Sequence, residues 1–384
     1  MEREADIFDP RHYAATRRPL LDAETLPPWC YTSEAFYRRE VERIFFKMWN
    51  FVGSVDQLPA PGSYFTLDFA GVPVIILRDL EGRLRAFSNS CRHRGSALLA
   101  GSGSCQLIVC PYHSWSYALD GRLNAAPEMR ETHGFDQSRY GLIPLRLESW
   151  GGFLFLNFDD EAEDLGTFLG DLPERLAAYR LDEMACVRRR EFDMACNWKL
   201  FVENAKESYH IATVHRATIN KYASARMAGY WVEQPKGSYV ITFAKHDGSM
   251  ALLKGDAGFP KIESLAGRRE EGGTTAPLIY PCTYLACTID CAWYLELHPL
   301  GPRRTRLIHG ALVPRSRLTR PDFQAVMENY YKRWDITIEE DIVASERQQQ
   351  GLASPFCPAG RFSHREPLVH EIDNWVLDRV LDPA

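Results

Sequence analysis

The sequence predicts an α+β chain, with an antiparallel β domain first and a second half that mixes strands and helices. Two observations carry this. Short apolar runs broken by turn residues fill the chain to about residue 160, and beyond them strands and helices follow without an internal repeat. Residues 1–40 are rich in Arg, Pro and aromatic side chains, and Ser33 to Asn50 has the apolar spacing of an amphipathic helix through Phe36, Val41, Ile44, Phe45 and Trp49. Turn chemistry then recurs at Pro59, Pro61-Gly62, Gly71, Glu81-Gly82, Gly101 to Gly103, Asp120-Gly121 and Gly151-Gly152. A helical stretch, Leu165 to Tyr179, precedes a charged segment and the stretch Trp198 to His215. Strands are expected at Tyr239 to Ala244, Leu278 to Leu285, Ala292 to His298 and Thr305 to Val313. Gly255 to Gly273 reads as a mobile loop, and Asp322 to Gln350 has helical length and period.

Composition narrows the function. With 45% apolar and 25% charged residues the 384-residue chain matches globular proteins, and its length suggests two domains. The 45 Lys and Arg against 51 Asp and Glu leave −6, so the basic footprint of a nucleic-acid binder is absent. No window approaches a membrane span, and the acidic start, Met1 to Asp6, does not read as a signal peptide, so a cytoplasmic protein is expected. Ten cysteines are too few for a disulfide scaffold; their spacing must decide their role.

Cys91-Arg92-His93 is followed, after sixteen residues, by Cys110-Pro111-Tyr112-His113. Two tight loops brought tip to tip would supply two thiolates and two imidazoles. Such a set also binds zinc tetrahedrally, but the order Cys, His, Cys, His and the strands expected between the pairs differ from a zinc finger. The alternative is a [2Fe-2S] cluster with two cysteines on one iron and two histidines on the other. A second constellation is Glu207, His210 and His215: on a helix Glu207 and His210 would share a face, and the helix must end or bulge before His215, where Thr213-Val214 makes a break plausible. Two imidazoles and one carboxylate make the facial triad of non-haem Fe(II) oxygenases.

These motifs, together with Glu339-Glu340-Asp341 and Glu346 to Gly351, resemble the Rieske non-haem iron oxygenases over about residues 40 to 351. The resemblance implies a Rieske domain at 41–160 holding a [2Fe-2S] cluster on Cys91, His93, Cys110 and His113. It implies a catalytic domain at 161–384, a large antiparallel sheet packed by helices in helix-grip manner, with residues 1–40 packed on it. There, the resemblance implies, mononuclear Fe(II) would be bound by His210, His215 and Asp341. A brace of two further cysteines, found in respiratory Rieske proteins, cannot form, because Ser96 and Tyr112 stand at those positions; Trp115 replaces a sulfur-bonding serine while Tyr117 is kept, which implies a lower potential. Ser114 departs from the glycine common in these oxygenases. The family also implies a head-to-tail homotrimer in which Glu207 bridges His113 of one subunit and His210 of the next. Lys206 marks part of that helix as exposed.

No Gly-x-Gly-x-x-Gly after a strand and no ferredoxin cysteine set is present, so electrons must come from a separate NAD(P)H-dependent flavin and iron–sulfur reductase. A glutamate at the bridging position resembles the carnitine, glycine betaine and proline betaine oxygenases, which points to O2-dependent N-demethylation of a quaternary ammonium compound. Aromatic faces would then surround the cation, with Tyr230, Trp231, Tyr239, Phe243, Tyr280, Tyr284, Trp293 and Tyr294 as candidates, although aromatic residues in strands also serve as core. Arg226, Lys236 and Lys245 could hold a substrate carboxylate. The alternatives are a mono- or dioxygenase of aromatic carboxylates, a Rieske electron carrier without oxygenase activity, and a zinc-stabilised binding module.

Overall fold

The computed structural model describes residues 7–219 and 229–381. The chain divides into two compact units. One is Phe46–Leu165; the other joins the segment ending at Phe45 to that beginning at Gly166.

Phe46–Leu165 is built on a seven-stranded antiparallel sheet in the order Asn50–Ser54, Phe153–Asn157, Pro144–Trp150, Leu84–Ser88, Val72–Arg78, Ser63–Phe69, Ser102–Ser104. A small three-stranded sheet, Ile108–Val109, Ser116–Tyr117 and Leu123–Ala125, stands beside it. Apolar side chains of both sheets, among them Ile75, Leu77, Phe87, Ile108, Trp115 and Tyr117, close into one core that also takes in Cys91 and Cys110. The cysteines are therefore buried at the roots of two loops, 89–101 and 110–115.

In the other unit a seven-stranded sheet runs Met184–Met194, Arg304–Pro314, Ala292–Gly301, Thr283–Cys287, Gly273–Ile279, Tyr239–Lys245, Gly229–Glu233, with every pair antiparallel. From Gly229 to Pro314 sequence neighbours pair with each other, and only Met184–Met194 joins from outside this meander. The helix Phe323–Leu352 lies on the face that carries Trp293 and His309, where Trp334 packs 5.7 Å from Trp293 and 4.9 Å from His309, centroid to centroid. On the same face Arg190 pairs with Asp335 at 2.6 Å and with Glu339 at 2.9 Å, and Arg188 also reaches Asp335.

Several sequence expectations are corrected. The helix expected over Ser33 to Asn50 is Glu34–Glu40, capped by Ser33, which then widens into a π-turn at Val41–Phe45; Asn50 is already in a strand, paired with Leu156. Leu165 to Tyr179 is two short helices and a 3₁₀ turn, because Gly170, in a left-handed conformation, and Pro173 interrupt it. Leu278 to Leu285 is two strands, Gly273–Ile279 and Thr283–Cys287, joined by a turn at Pro281, which has no N–H for the ladder. The loop expected over Gly255 to Gly273 contains 3₁₀ turns at Glu263–Leu265 and Arg269–Gly272. The strand Met184–Met194 and the helix Pro367–Val380 were not foreseen.

Candidate active site

The two cysteine loops of Phe46–Leu165 share one backbone plan. Cys91 N–H donates to Ser96 O and Gly95 N–H to Cys91 O; in the second loop Cys110 N–H donates to Trp115 O and Ser114 N–H to Cys110 O. Gly95 and Ser114 are thus equivalent, and both are left-handed, at φ 77° and 59°. Serine bears a Cβ cost there that glycine does not, which explains why a glycine suits the position.

At the loop tips His93 and His113 meet edge to face with ring centroids 4.8 Å apart, and the Nδ1 atoms of both are buried without a hydrogen-bond partner. Their outer faces are fixed: His93 stacks on Trp115 at 5.0 Å and His113 on Tyr112 at 3.8 Å. Below them, the Tyr117 hydroxyl lies 3.2 Å from Cys91 Sγ. Burial would raise the Cys110 thiol, but the Tyr112 and His113 backbone N–H groups and the Cys91 and Ser96 side chains outweigh it and hold it below its ordinary range. Thiols thus pair with thiols and imidazoles with imidazoles. Two buried ring nitrogens without partners beside two buried cysteines fit a two-iron cluster in which both cysteines ligate one iron and both histidines the other.

The second set lies in the other unit. The helix Trp198–Ala205 starts at Asn197, whose side chain caps Lys199 N–H. It is held from three sides. Lys199 and Glu40 form a fully buried ion pair at 2.5 Å, Trp198 donates to Glu40, and the Gln349 side chain accepts from Asn197 N–H and donates to Tyr31 O. The helix ends at Ala205, so Glu207 and His210 do not share an α-helical face as expected. Instead the Glu207 carboxylate accepts the N–H groups of Tyr209 and His210 and caps the 3₁₀ turn His210–Ala212. The same carboxylate lies 2.5 Å from His210 Nδ1. Lys206 is buried rather than exposed: its ammonium donates to Ala276 O at 2.9 Å and lies over the Tyr284 ring. Burial lowers its pKa to about 7, with Glu371 opposing the shift.

His210, His215 and Asp341 converge, each offering a ligand atom within 4.8 Å of the others. His215 Nδ1 lies 2.7 Å from Glu340, which also accepts from Thr218 Oγ1. Both imidazoles therefore have Nδ1 against a carboxylate and Nε2 toward Asp341, at 3.6 Å from His210 and 2.9 Å from His215. Asp341 Oδ1 has no hydrogen-bond partner in spite of these short approaches. Two imidazole nitrogens and a carboxylate oxygen brought this close suit a shared cation. Burial would lower His215, but Asp341 and Glu340 beside its two nitrogens raise it above its ordinary range. Glu340 was not singled out from the sequence; the run Glu339-Glu340-Asp341 was the available signal.

A cavity of about 190 Å³ opens above this group, between sheet and helix. Arg333, Trp334, Thr337, Ile338 and Asp341 recur at helical spacing and present one face of Phe323–Leu352 to it. Of the aromatic candidates Tyr284 and Trp293 line it, and Trp334, not foreseen, joins them. Tyr239 bonds Asp171, Phe243 lies under Arg269, Tyr280 stacks on Trp375, and Tyr294 bonds Arg189, so these four are structural. Tyr230 and Trp231 are in a strand whose side chains at those positions are outside the description, and Arg226 lies outside the described residues. Lys236 and Lys245 are not among the lining residues.

Residues 48–141 match the Rieske [2Fe-2S] domain and residues 181–382 the catalytic domain of ring-hydroxylating alpha subunits. The chain belongs to the Rieske ring-hydroxylating oxygenases. The oxygenase is 32% identical to choline monooxygenase of Spinacia oleracea over 93% of its own length and 79% of that protein. It is 30% identical to the glycine betaine monooxygenase oxygenase subunit of Chromohalobacter salexigens, covering 93% and 86%. Its fold is similar to that of the quaternary ammonium Rieske monooxygenase CntA solved with L-carnitine, at a TM-score of 0.77 and 26% identity, with 93% and 95% covered. It is an oxidoreductase that incorporates oxygen from O2 into a small-molecule substrate, using a Rieske cluster and a mononuclear iron and electrons from a reductase. No helix among the described residues is long and apolar enough to cross a membrane.

Proposed function

We propose that the oxygenase hydroxylates an N-methyl carbon of a quaternary ammonium compound. With O2, two electrons and two protons the C–H bond becomes C–OH and water is released; the C–N bond then breaks to give formaldehyde, a proton and the demethylated amine. The observation that carries this reading is the aromatic-lined cavity over His210, His215 and Asp341, in a chain whose relatives are named for choline and glycine betaine. Cys91, His93, Cys110 and His113 hold the cluster, and His210, His215 and Asp341 the iron. When bound, the cluster passes single electrons and the Fe(II) supplies the place where O2 is activated. Glu207 and Glu340 keep the two imidazoles in the tautomer with Nε2 toward Asp341, and Tyr284, Trp293 and Trp334 line and shield the cavity.

The working assembly is a head-to-tail trimer in the cytoplasm, served by an NAD(P)H-dependent flavin and iron–sulfur reductase, with Glu207 joining the cluster of one subunit to the iron of the next. Reconstituted with such a reductase and O2, the oxygenase is expected to release formaldehyde from N-methylated ammonium compounds and not to consume benzoate. Oxygen uptake with benzoate alone overturns the reading.

A further inference from the structure

Arg333 is buried in the helix Phe323–Leu352 and lines the cavity over the iron ligands as well as a second cavity of about 170 Å³ bounded by Thr218, His246 and Leu252. Its guanidinium lies 5.3 Å over Trp293, and one nitrogen donates to Thr337 Oγ1 at 3.2 Å. Among the described residues no carboxylate comes within ion-pair distance of it: Asp335 and Glu339 on the same helix are taken by Arg188 and Arg190, Glu340 by His215 and Thr218, and Asp341 faces the two imidazoles. The segment 220–228 contains no Asp or Glu. A cation taken out of water with, among the described residues, one neutral hydrogen bond is costly unless an anion completes it. Burial accordingly depresses Arg333 below its ordinary range, although Tyr284, Asp341 and Glu340 pull the other way.

We infer that Arg333 is a specificity residue that receives the carboxylate of the substrate, so the substrate is a zwitterion with a quaternary ammonium at one end and a carboxylate at the other, not a simple cation such as choline. This rests on the ammonium reading above and narrows it. The guanidinium presents parallel N–H donors to a carboxylate, a match that ammonium groups lack. A substrate with a hydroxyl in place of the carboxylate brings a second positive charge beside Arg333 and leaves it unpaired. The ammonium end is then turned toward the His210, His215 and Asp341 group, with its N-methyl carbon nearest the ligand atoms.

The test uses the reconstituted holoenzyme with its reductase. Substrate-dependent O2 uptake, which registers hydroxylation at an N-methyl or an alcohol carbon alike, should give a kcat/KM for glycine betaine or L-carnitine roughly tenfold or more above that for choline. Arg333→Gln should lower the ratio of kcat/KM for glycine betaine to that for choline roughly 10- to 100-fold, as expected for a lost charge-assisted hydrogen bond. Arg333→Lys should keep part of the preference. The ratio between substrates is independent of the folded fraction, so a merely structural role for Arg333 would leave it unmoved. On the unmodified enzyme, tert-butylacetate, the carbon counterpart of glycine betaine, should compete with substrate where the matching alcohol, tert-butylethanol, does not. Equal use of choline and glycine betaine, equal loss of both in Arg333→Gln, or equal inhibition by acid and alcohol overturns the anchor and leaves the ammonium reading standing. Turnover of benzoate with no ammonium compound used overturns both.

Discussion

Glu207 lies against Nδ1 of His210 and Glu340 against Nδ1 of His215, which leaves Nε2 of each ring toward Asp341. Glu340 holds His215 by Nδ1. Glu340→Ala should weaken iron retention against a chelator roughly 10- to 100-fold, the usual effect of removing a partner behind a metal-bound histidine, with the Rieske absorbance unchanged as internal standard. Lys206 gives a pH signature. An ordinary lysine keeps its proton to about 10.5, whereas the buried one releases it near 7. Between these values the unfolded chain holds one proton more than the folded one, so this residue makes stability rise with pH across that window, and its cost is fully present below it. Lys206→Met should therefore stabilise the oxygenase most near neutrality and flatten that rise, as followed by denaturant midpoints from pH 7 to 10. Residue type misleads at this position. A lysine beside a glutamate reads as a solvated face, and only the Ala276 carbonyl and the Tyr284 ring, about seventy residues away in sequence, show otherwise.

At the scale of elements, the paired cysteine loops make a sharp prediction. Because Ser114 occupies the left-handed position that Gly95 fills in the sister loop, Ser114→Gly should raise stability by about 1 kcal/mol without altering the cluster's spectrum, measured by the denaturant midpoint of the Rieske absorbance. Here the sequence was readable, since the departure from glycine was visible and its geometry is now plain. The long helix Phe323–Leu352 was legible too, through its period. The strand Met184–Met194 was not, because Arg188 and Arg190 look like surface charge; they are answered by Asp335 and Glu339 on the helix packed over them, a pairing no local pattern reveals. The end of the Trp198–Ala205 helix was placed too late for a similar reason. No breaker residue marks it, and it is Glu207 capping the following turn that stops the helix.

For the whole molecule, the three motifs in chain order made the architecture and both cofactors readable, while the cavity depended on sheet-to-helix packing. Aromatic content alone could not say which rings face it, and Arg333 was passed over because it sits in an ordinary amphipathic helix. If Glu207 carries electrons across a subunit boundary, Glu207→Gln should keep both kinds of iron yet slow reoxidation of the reduced cluster by O2 and substrate roughly tenfold or more in stopped-flow traces, since a neutral amide no longer holds both imidazoles. An unchanged rate would remove Glu207 from the path.

The buried pair of Glu40 and Lys199 has a practical reach beyond its own energy. It ties the chain's opening segment to the helix that leads into Glu207 and His210, and stranding either charge costs about 3–5 kcal/mol. A version trimmed at its start to begin near Phe46 would still be expected to emerge brown from the column, yet it would have lost the brace that keeps its oxygen-handling metal in place.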